Sequence, residues 1–197
     1  MSVRVAASAG FCFGVDRAVG LVEQNVREGK RAVTLGPIIH NHHVVQHFAA
    51  LGVREIASPE EVPGGSAVII RSHGVSRAVY EALQARGLEI IDATCPFVSR
   101  IHRIVQEAEA NGRQPLIIGT PEHPEVRAIA SFCTGPVVLP SAEELQKWLD
   151  FDGTRRDLPL TMVCQTTETQ KNWDSCFHSS SADRRGRGIR DTERRNL

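Results

Sequence analysis

Neither sign of charge is in excess: 23 lysines and arginines face 23 aspartates and glutamates along 197 residues. That balance argues against a nucleic-acid footprint and against an acidic tail. Long apolar runs are also missing. None approaches the roughly 20 residues that cross a bilayer, and the N-terminal MSVRVAASAGF lacks the apolar core that secretory signals carry. The expectation is a cytoplasmic protein with no membrane and no nucleic acid to bind, in a compartment where structural disulfides are uncommon. CxxC pairs are absent as well, the five cysteines standing apart at 12, 95, 133, 164 and 176. Zinc ribbons and thioredoxin-type sites are thereby excluded, and any metal held by these thiols must draw its ligands from distant parts of the chain.

What is present is an alternation. Strand-like runs stand at VRVAA (3–7), AVTL (32–35), AVIIR (67–71), LEII (88–91), PLIIG (115–119), VVLP (137–140) and LTMVC (160–164). Amphipathic stretches at 15–28, 43–51, 75–86, 97–110 and 141–149 separate them. Ser58–Glu61 and Ser141–Glu144 read as capping boxes, and Gly87 and Gly112 as helix ends. Such alternation predicts an α/β fold with buried parallel sheets. After Asp174 the aliphatic residues thin out, and SCFHSSSADRRGRGIRDTERRNL holds six arginines. A disordered tail over 175–197 is expected there. A basic arm for RNA or a partner is the alternative, and the acidic residues among the arginines weigh against it.

The chemistry-bearing residues fall at one kind of place. Cys12 follows VRVAA in SAGFCFGVDRAV, where Gly10 and Gly14 leave the turn free to bend and to admit a ligand close to the backbone. His73 in RSHGVS follows AVIIR, and Cys95 in DATCP follows LEII. His123 and Glu125 in GTPEHPEV follow PLIIG; Gln165, Thr166 and Thr167 follow LTMVC. Ligands of open parallel sheets bind outside the carboxyl ends of the strands, where all of these lie.

Each group also has a plainer reading. Cys12 could be a small buried hydrophobe. DATCP could be a loop in which Asp92 or Thr94 caps a helix begun by Pro96. HNHH (40–43) could be a solvated polar turn, GTPEHPEV a loop stiffened by two prolines. A zinc hydrolase built on the histidines is disfavoured, because the i, i+2, i+3 spacing matches no helix face and no local carboxylate completes it.

Taken in order, AGFCFGVDRAV, GPIIHNHHVV, SHGVS, DATCP, HPEV and QTT resemble the 4-hydroxy-3-methylbut-2-enyl diphosphate reductases, iron–sulfur enzymes that end the non-mevalonate route to isoprenoid precursors. The resemblance spans residues 3–174. It implies repeated α/β units with parallel sheets around a central cavity, here two units plus the start of a third. Residues 1–95 would form the first unit, its N-terminal strand packing with the third; 96–174 would form the second and begin the third. The implied cofactor is a four-iron (4Fe-4S) cluster, with Cys12 and Cys95 as thiolate ligands and Cys133 and Cys164 left as core thiols. His40, His73 and His123 would bind the substrate diphosphate. Glu125 would supply protons, and Thr166 would hold the substrate hydroxyl and link it to Glu125. Asn41, His42 and His43 adjoin the site without a role.

The implied reaction is reductive dehydroxylation of the allylic diphosphate to isopentenyl and dimethylallyl diphosphates, with electrons from a one-electron donor such as ferredoxin or flavodoxin. The family pattern continues well past QTT, bringing a third cluster cysteine, a Ser-x-Asn diphosphate-binding segment and a further serine. In this sequence it stops at QTTETQKNWD, as a frameshift followed by early termination would leave it. The expectation is therefore a chain with two of three ligands, for which the alternative function is an inactive fragment that binds diphosphate or iron without turnover. Cys176 is the remaining candidate ligand and lacks a strand-end setting.

Overall fold

A computed structural model of the chain describes residues 3–7, 9–181 and 190–191. The fold divides into two compact units. The first comprises residues 1–72 and 82–96, the second 73–81 and 97–197.

The first unit is built on a four-stranded, all-parallel sheet of β1 (Ala32–Leu35), β2 (Arg54–Ile56), β3 (Ala67–Ile70) and β4 (Ile90–Asp92), in the order β2-β1-β3-β4. β1 and β3 are buried along their whole length, as suits strands covered on both faces. Helices α1 (Phe13–Arg27) and α2 (His42–Ala50) precede β1 and β2, and α3 (Arg77–Ala85) precedes β4. Ala18 and Val22 of α1 and Phe48 of α2 pack with Ala32, Ala67 and Ile69 in one core.

The second unit repeats the plan. β5 (Gln114–Ile118), β6 (Val137–Leu139), β7 (Leu160–Cys164) and the short β8 (Arg190–Asp191) pair in parallel, in the order β6-β5-β7-β8. One face is covered by α4 (Pro96–Ala110) and α5 (Pro124–Ala130), through Ile101, Val105, Val126 and Ile129. The other is covered by α6 (Ala142–Phe151) and α7 (Gln170–Ser181), through Leu145, Leu149, Trp173 and Cys176. Gly87 and Gly112 end α3 and α4 with φ of +63° and +65°, the left-handed geometry that glycine adopts without strain. The capping box at Ser58 forms on a single helical turn, and Ser141 accepts the Glu144 N–H at the start of α6.

Three expectations need correction. Residues 3–7 form no strand, and Val3 and Val5 are 89% and 81% exposed. Apolar alternation needs a neighbouring strand to become a ladder, and none of the described strands pairs with it. Secondly, α7 runs beyond the expected tail boundary at 174 as far as Ser181. Few aliphatic residues are needed there, because Trp173, Cys176 and Ser180 recur on one helical face and are all buried. The rest of the expected tail, apart from β8, lies outside the described residues. Thirdly, neither Gly10 nor Gly14 has a positive φ: the chain bends at Gly10 without left-handed geometry, and Gly14 lies inside α1. Among the described residues no helix is long and apolar enough to cross a membrane.

Candidate active site

In the first unit, the loops that leave β1, β3 and β4 are laced together by main-chain bonds. The Ser72 N–H and hydroxyl both donate to the Ile38 carbonyl at 3.3 Å, and the Cys95 N–H donates to the Ser72 carbonyl at 2.9 Å. Cys95 stands directly before Pro96, the first residue of α4, and is half-buried. Within the loop, Asp92 accepts the Thr94 N–H at 2.9 Å through its side chain, so it shapes the turn. Cys12 is the N-cap of α1, exposed, and its side chain makes no capping bond. Its sulfur is therefore not committed to the backbone.

The two cysteine segments meet. A β-carbon built on Gly14 would lie 2.6 Å from the Cys95 sulfur, closer than side-chain atoms approach. Arg17 of α1 donates from Nη1 to the Thr94 carbonyl at 3.2 Å and from Nη2 to the Asp92 carbonyl at 3.0 Å. Nothing in the sequence singled out Arg17, which reads as an ordinary charged position on a helix face.

His40 belongs to the same unit and is exposed, between β1 and α2. Asn41, next to it, caps α2 by accepting the Val44 N–H at 3.3 Å. HNHH is thus a helix start, with His42 and His43 in its first turn.

In the second unit, His123 is the N-cap of α5, and its Nδ1 accepts the Glu125 N–H at 3.2 Å. That bond fixes the tautomer: Nδ1 is the acceptor, so Nε2 carries the proton and is the donor. The His73 ring stands edge-on to it, with centroids 5.5 Å apart and planes at 83°. Glu125 is only 1% exposed. Its Oε1 accepts the Thr166 N–H at 2.6 Å, and its Oε2 accepts the Thr166 hydroxyl at 2.8 Å. Gln165 couples the same two loops, accepting the Thr120 N–H at 3.3 Å and donating to the Thr167 hydroxyl at 2.7 Å. Gly119 makes room for it, since a β-carbon there would come within 2.9 Å of Gln165 and of Val126.

The remaining thiols belong to the second unit and differ in kind. Burial pushes the Cys133 and Cys176 thiols up to about 11, so they stay protonated and inert. Cys176 lies wholly inside the core between α6 and α7, which removes it as a metal ligand. Cys164 ends β7 and packs against the same core.

Comparison with known proteins decides the family. Residues 3–188 match the LytB protein family model. The chain belongs to that family. The 4-hydroxy-3-methylbut-2-enyl diphosphate reductase of Caldanaerobacter subterraneus is 39% identical over 179 residues, a match covering 88% of this chain and 60% of that protein. Its counterpart from Solidesulfovibrio magneticus is 40% identical over 184 residues, covering 88% and 62%. A solved (E)-4-hydroxy-3-methyl-but-2-enyl diphosphate reductase, described as the terminal enzyme of the non-mevalonate pathway, superposes with a TM-score of 0.77 at 34% identity, covering 91% of this chain and 63% of its own. The Plasmodium falciparum reductase superposes with a TM-score of 0.80 at 27% identity, covering 89% and 55%. The chain thus spans about 60% of the length of the curated relatives it matches.

Proposed function

We propose that this LytB-family chain takes part in the reductive removal of the hydroxyl from 4-hydroxy-3-methylbut-2-enyl diphosphate, giving isopentenyl and dimethylallyl diphosphates. The balance requires two electrons and two protons, and the hydroxyl leaves as water. The single observation that carries the reading is the Thr166–Glu125 pair: a buried carboxylate bound through both oxygens to one threonine, two residues from an imidazole of fixed tautomer.

The donor set fits an iron–sulfur group in part. Cys12 is exposed and Cys95 half-buried beside it, Gly14 keeps the space beside the Cys95 sulfur clear, and Cys133 and Cys164 pack partly buried against core clusters. Thiolates are the usual ligands of such clusters, and Cys12 and Cys95 would be two of them. When bound, the cluster supplies electrons one at a time, delivered by a carrier such as a ferredoxin or flavodoxin.

The chain's own residues do the rest. His123 donates from Nε2 to a diphosphate oxygen, and His73 and His40 add further donors to the same anion. Such charge-assisted bonds are short and strong. Thr166 holds the substrate hydroxyl through Oγ1. When Glu125 acts as the proton source the bond to Thr166 reverses: Oε2 gives its proton to Thr166 Oγ1, which passes its own proton to the leaving oxygen. The Thr166 N–H stays on Oε1 throughout and keeps the carboxyl from turning away.

Titration of the purified chain with inorganic pyrophosphate tests the anion site. Replacing His40, His73 or His123 singly with alanine should weaken binding by about 10- to 100-fold, since hydrogen bonds to charged groups contribute roughly 1.5–3 kcal/mol each. Unchanged affinity in all three variants would remove the histidines from the site.

A further inference from the structure

We propose that Arg17 and Gly14 are positioning residues that fix the distance between the Cys12 and Cys95 sulfurs. The proposal deepens the assignment of these cysteines as iron ligands, and its importance for function rests on that assignment.

The inference starts from α1. Cys12 is the N-cap of this helix, so wherever α1 docks, the Cys12 sulfur follows. Positions 14 and 17 are three apart and share a helix face. That face meets the loop carrying Cys95 in two complementary ways. At position 17 the guanidinium reaches two carbonyls, of Thr94 and Asp92, with separate nitrogens. A planar fork anchored at two points fixes direction as well as distance, which a single flexible ammonium cannot do. At position 14 the absence of a side chain lets the helix close to contact with the Cys95 sulfur. The loop is held from its other side too, by the Cys95 N–H on the Ser72 carbonyl.

An attractive strut and a sterically empty notch thus act on the same approach. The separation of the thiols is set by the folded helix and not by whatever they bind. Residues that lock a ligand's geometry in this way belong to the site as much as the ligands do. Gly14 has ordinary helical backbone, so it is not required for conformational freedom.

Dibromobimane supplies a direct test, because it becomes strongly fluorescent once two neighbouring thiolates have each displaced one bromide. Peptide mapping of the reduced, labelled chain identifies the bridged pair. The wild-type chain should give a Cys12–Cys95 bridge. Arg17→Met should slow bridging by about tenfold, the loss expected when hydrogen bonds to a charged group are removed. Arg17→Lys, keeping one donor, should fall between. Gly14→Ala should slow bridging although alanine is the better helix former.

Arg113→Met is the control for a merely structural role. Arg113 likewise ties distant parts of its own unit, donating to the Leu160 carbonyl and the Thr161 hydroxyl. Its loss should lower the urea midpoint and leave bridging unchanged. The proposal is overturned if folded Arg17→Met or Gly14→Ala bridges within twofold of wild type, or if Arg113→Met slows bridging equally. A wild-type chain in which Cys12 and Cys95 are labelled only singly would overturn it as well. Efficient bridging in a chain that binds no iron would defeat the ligand assignment and leave the positioning role standing.

Discussion

The two units repeat one sheet plan and differ in their chemistry. Each has four parallel strands in the same order, with the strand that comes first in the chain lying second in the sheet. His40 and Cys95 in the first unit, and His123, Glu125 and Thr166 in the second, lie just beyond strands, whereas Cys12 caps α1 behind a segment that forms no strand. Yet the first unit brings two thiol segments together, Cys12 exposed and Cys95 half-buried. The second offers a carboxyl, a hydroxyl and paired imidazoles, and packs Cys133 and Cys164 partly and Cys176 wholly into its cores. The difference teaches that the topology fixes a place, the carboxyl edge of the sheet, and that a few loop residues decide what the place can do. Both units use the same device to hold those loops close: a glycine against a functional neighbour, Gly14 against Cys95 and Gly119 against Gln165.

The largest effect should come from the second unit's acid. In a chimera joining this chain to the uncovered remainder of the Caldanaerobacter subterraneus reductase, Glu125→Gln should keep pyrophosphate binding. It should lower turnover with a reduced viologen by about 10²–10⁴-fold, the usual share of general acid catalysis. A loss below tenfold would take the proton-donor role from Glu125 and blur the division of labour between the units.

A smaller effect sharpens the comparison of glycines. Gly119→Ala should destabilise the chain by about 1–3 kcal/mol in urea unfolding, because its β-carbon would overlap Gln165 and Val126. Gly20→Ala, in the interior of α1 with nothing within 4 Å of the new carbon, should stabilise by about 0.5–1 kcal/mol. Equal changes at both positions would show that close approach is not what these glycines provide.

How much of this was legible in the sequence depended on whether a signal was local. Runs such as AVII and PLII are apolar enough to be strands in any context, and the motifs at their ends supply the residues of the proposed site. VRVAA failed because a strand is a property of two segments, and the exposed Val3 and Val5 have no described partner. α5 was missed because seven residues behind a proline carry too little periodicity. α7 hid behind its polar composition, though Trp173, Cys176 and Ser180 at helical spacing were a usable signal. Arg17 could not have been found, since its partners are main-chain carbonyls 75 and 77 residues away.

The mildest contrast lies in pH. The Cys133 and Cys176 thiols of the second unit are raised from an ordinary value of 9.0 to about 11, with burial the leading cause. The unfolded chain releases these protons from about pH 9 while the folded chain keeps them to about pH 11. Their contribution to stability is therefore complete below pH 9 and lost as pH rises to 11. Urea midpoints should fall over that interval, and less so in Cys133→Ala. A midpoint that is flat from pH 9 to 11 would contradict the burial of these thiols.

The central claim, that the first unit's two thiols are the metal-binding pair, is tested most directly by anaerobic reconstitution of the purified chain with iron and sulfide. Protein-bound iron and thiolate-to-iron charge-transfer absorption would be recorded for wild type and for single serine variants of Cys12, Cys95, Cys133 and Cys176. The absorption should appear in wild type, fall sharply in Cys12→Ser and Cys95→Ser, and survive in the other two. Iron binding that is indifferent to Cys12 and Cys95, or that is lost with Cys133 or Cys176, would contradict the account.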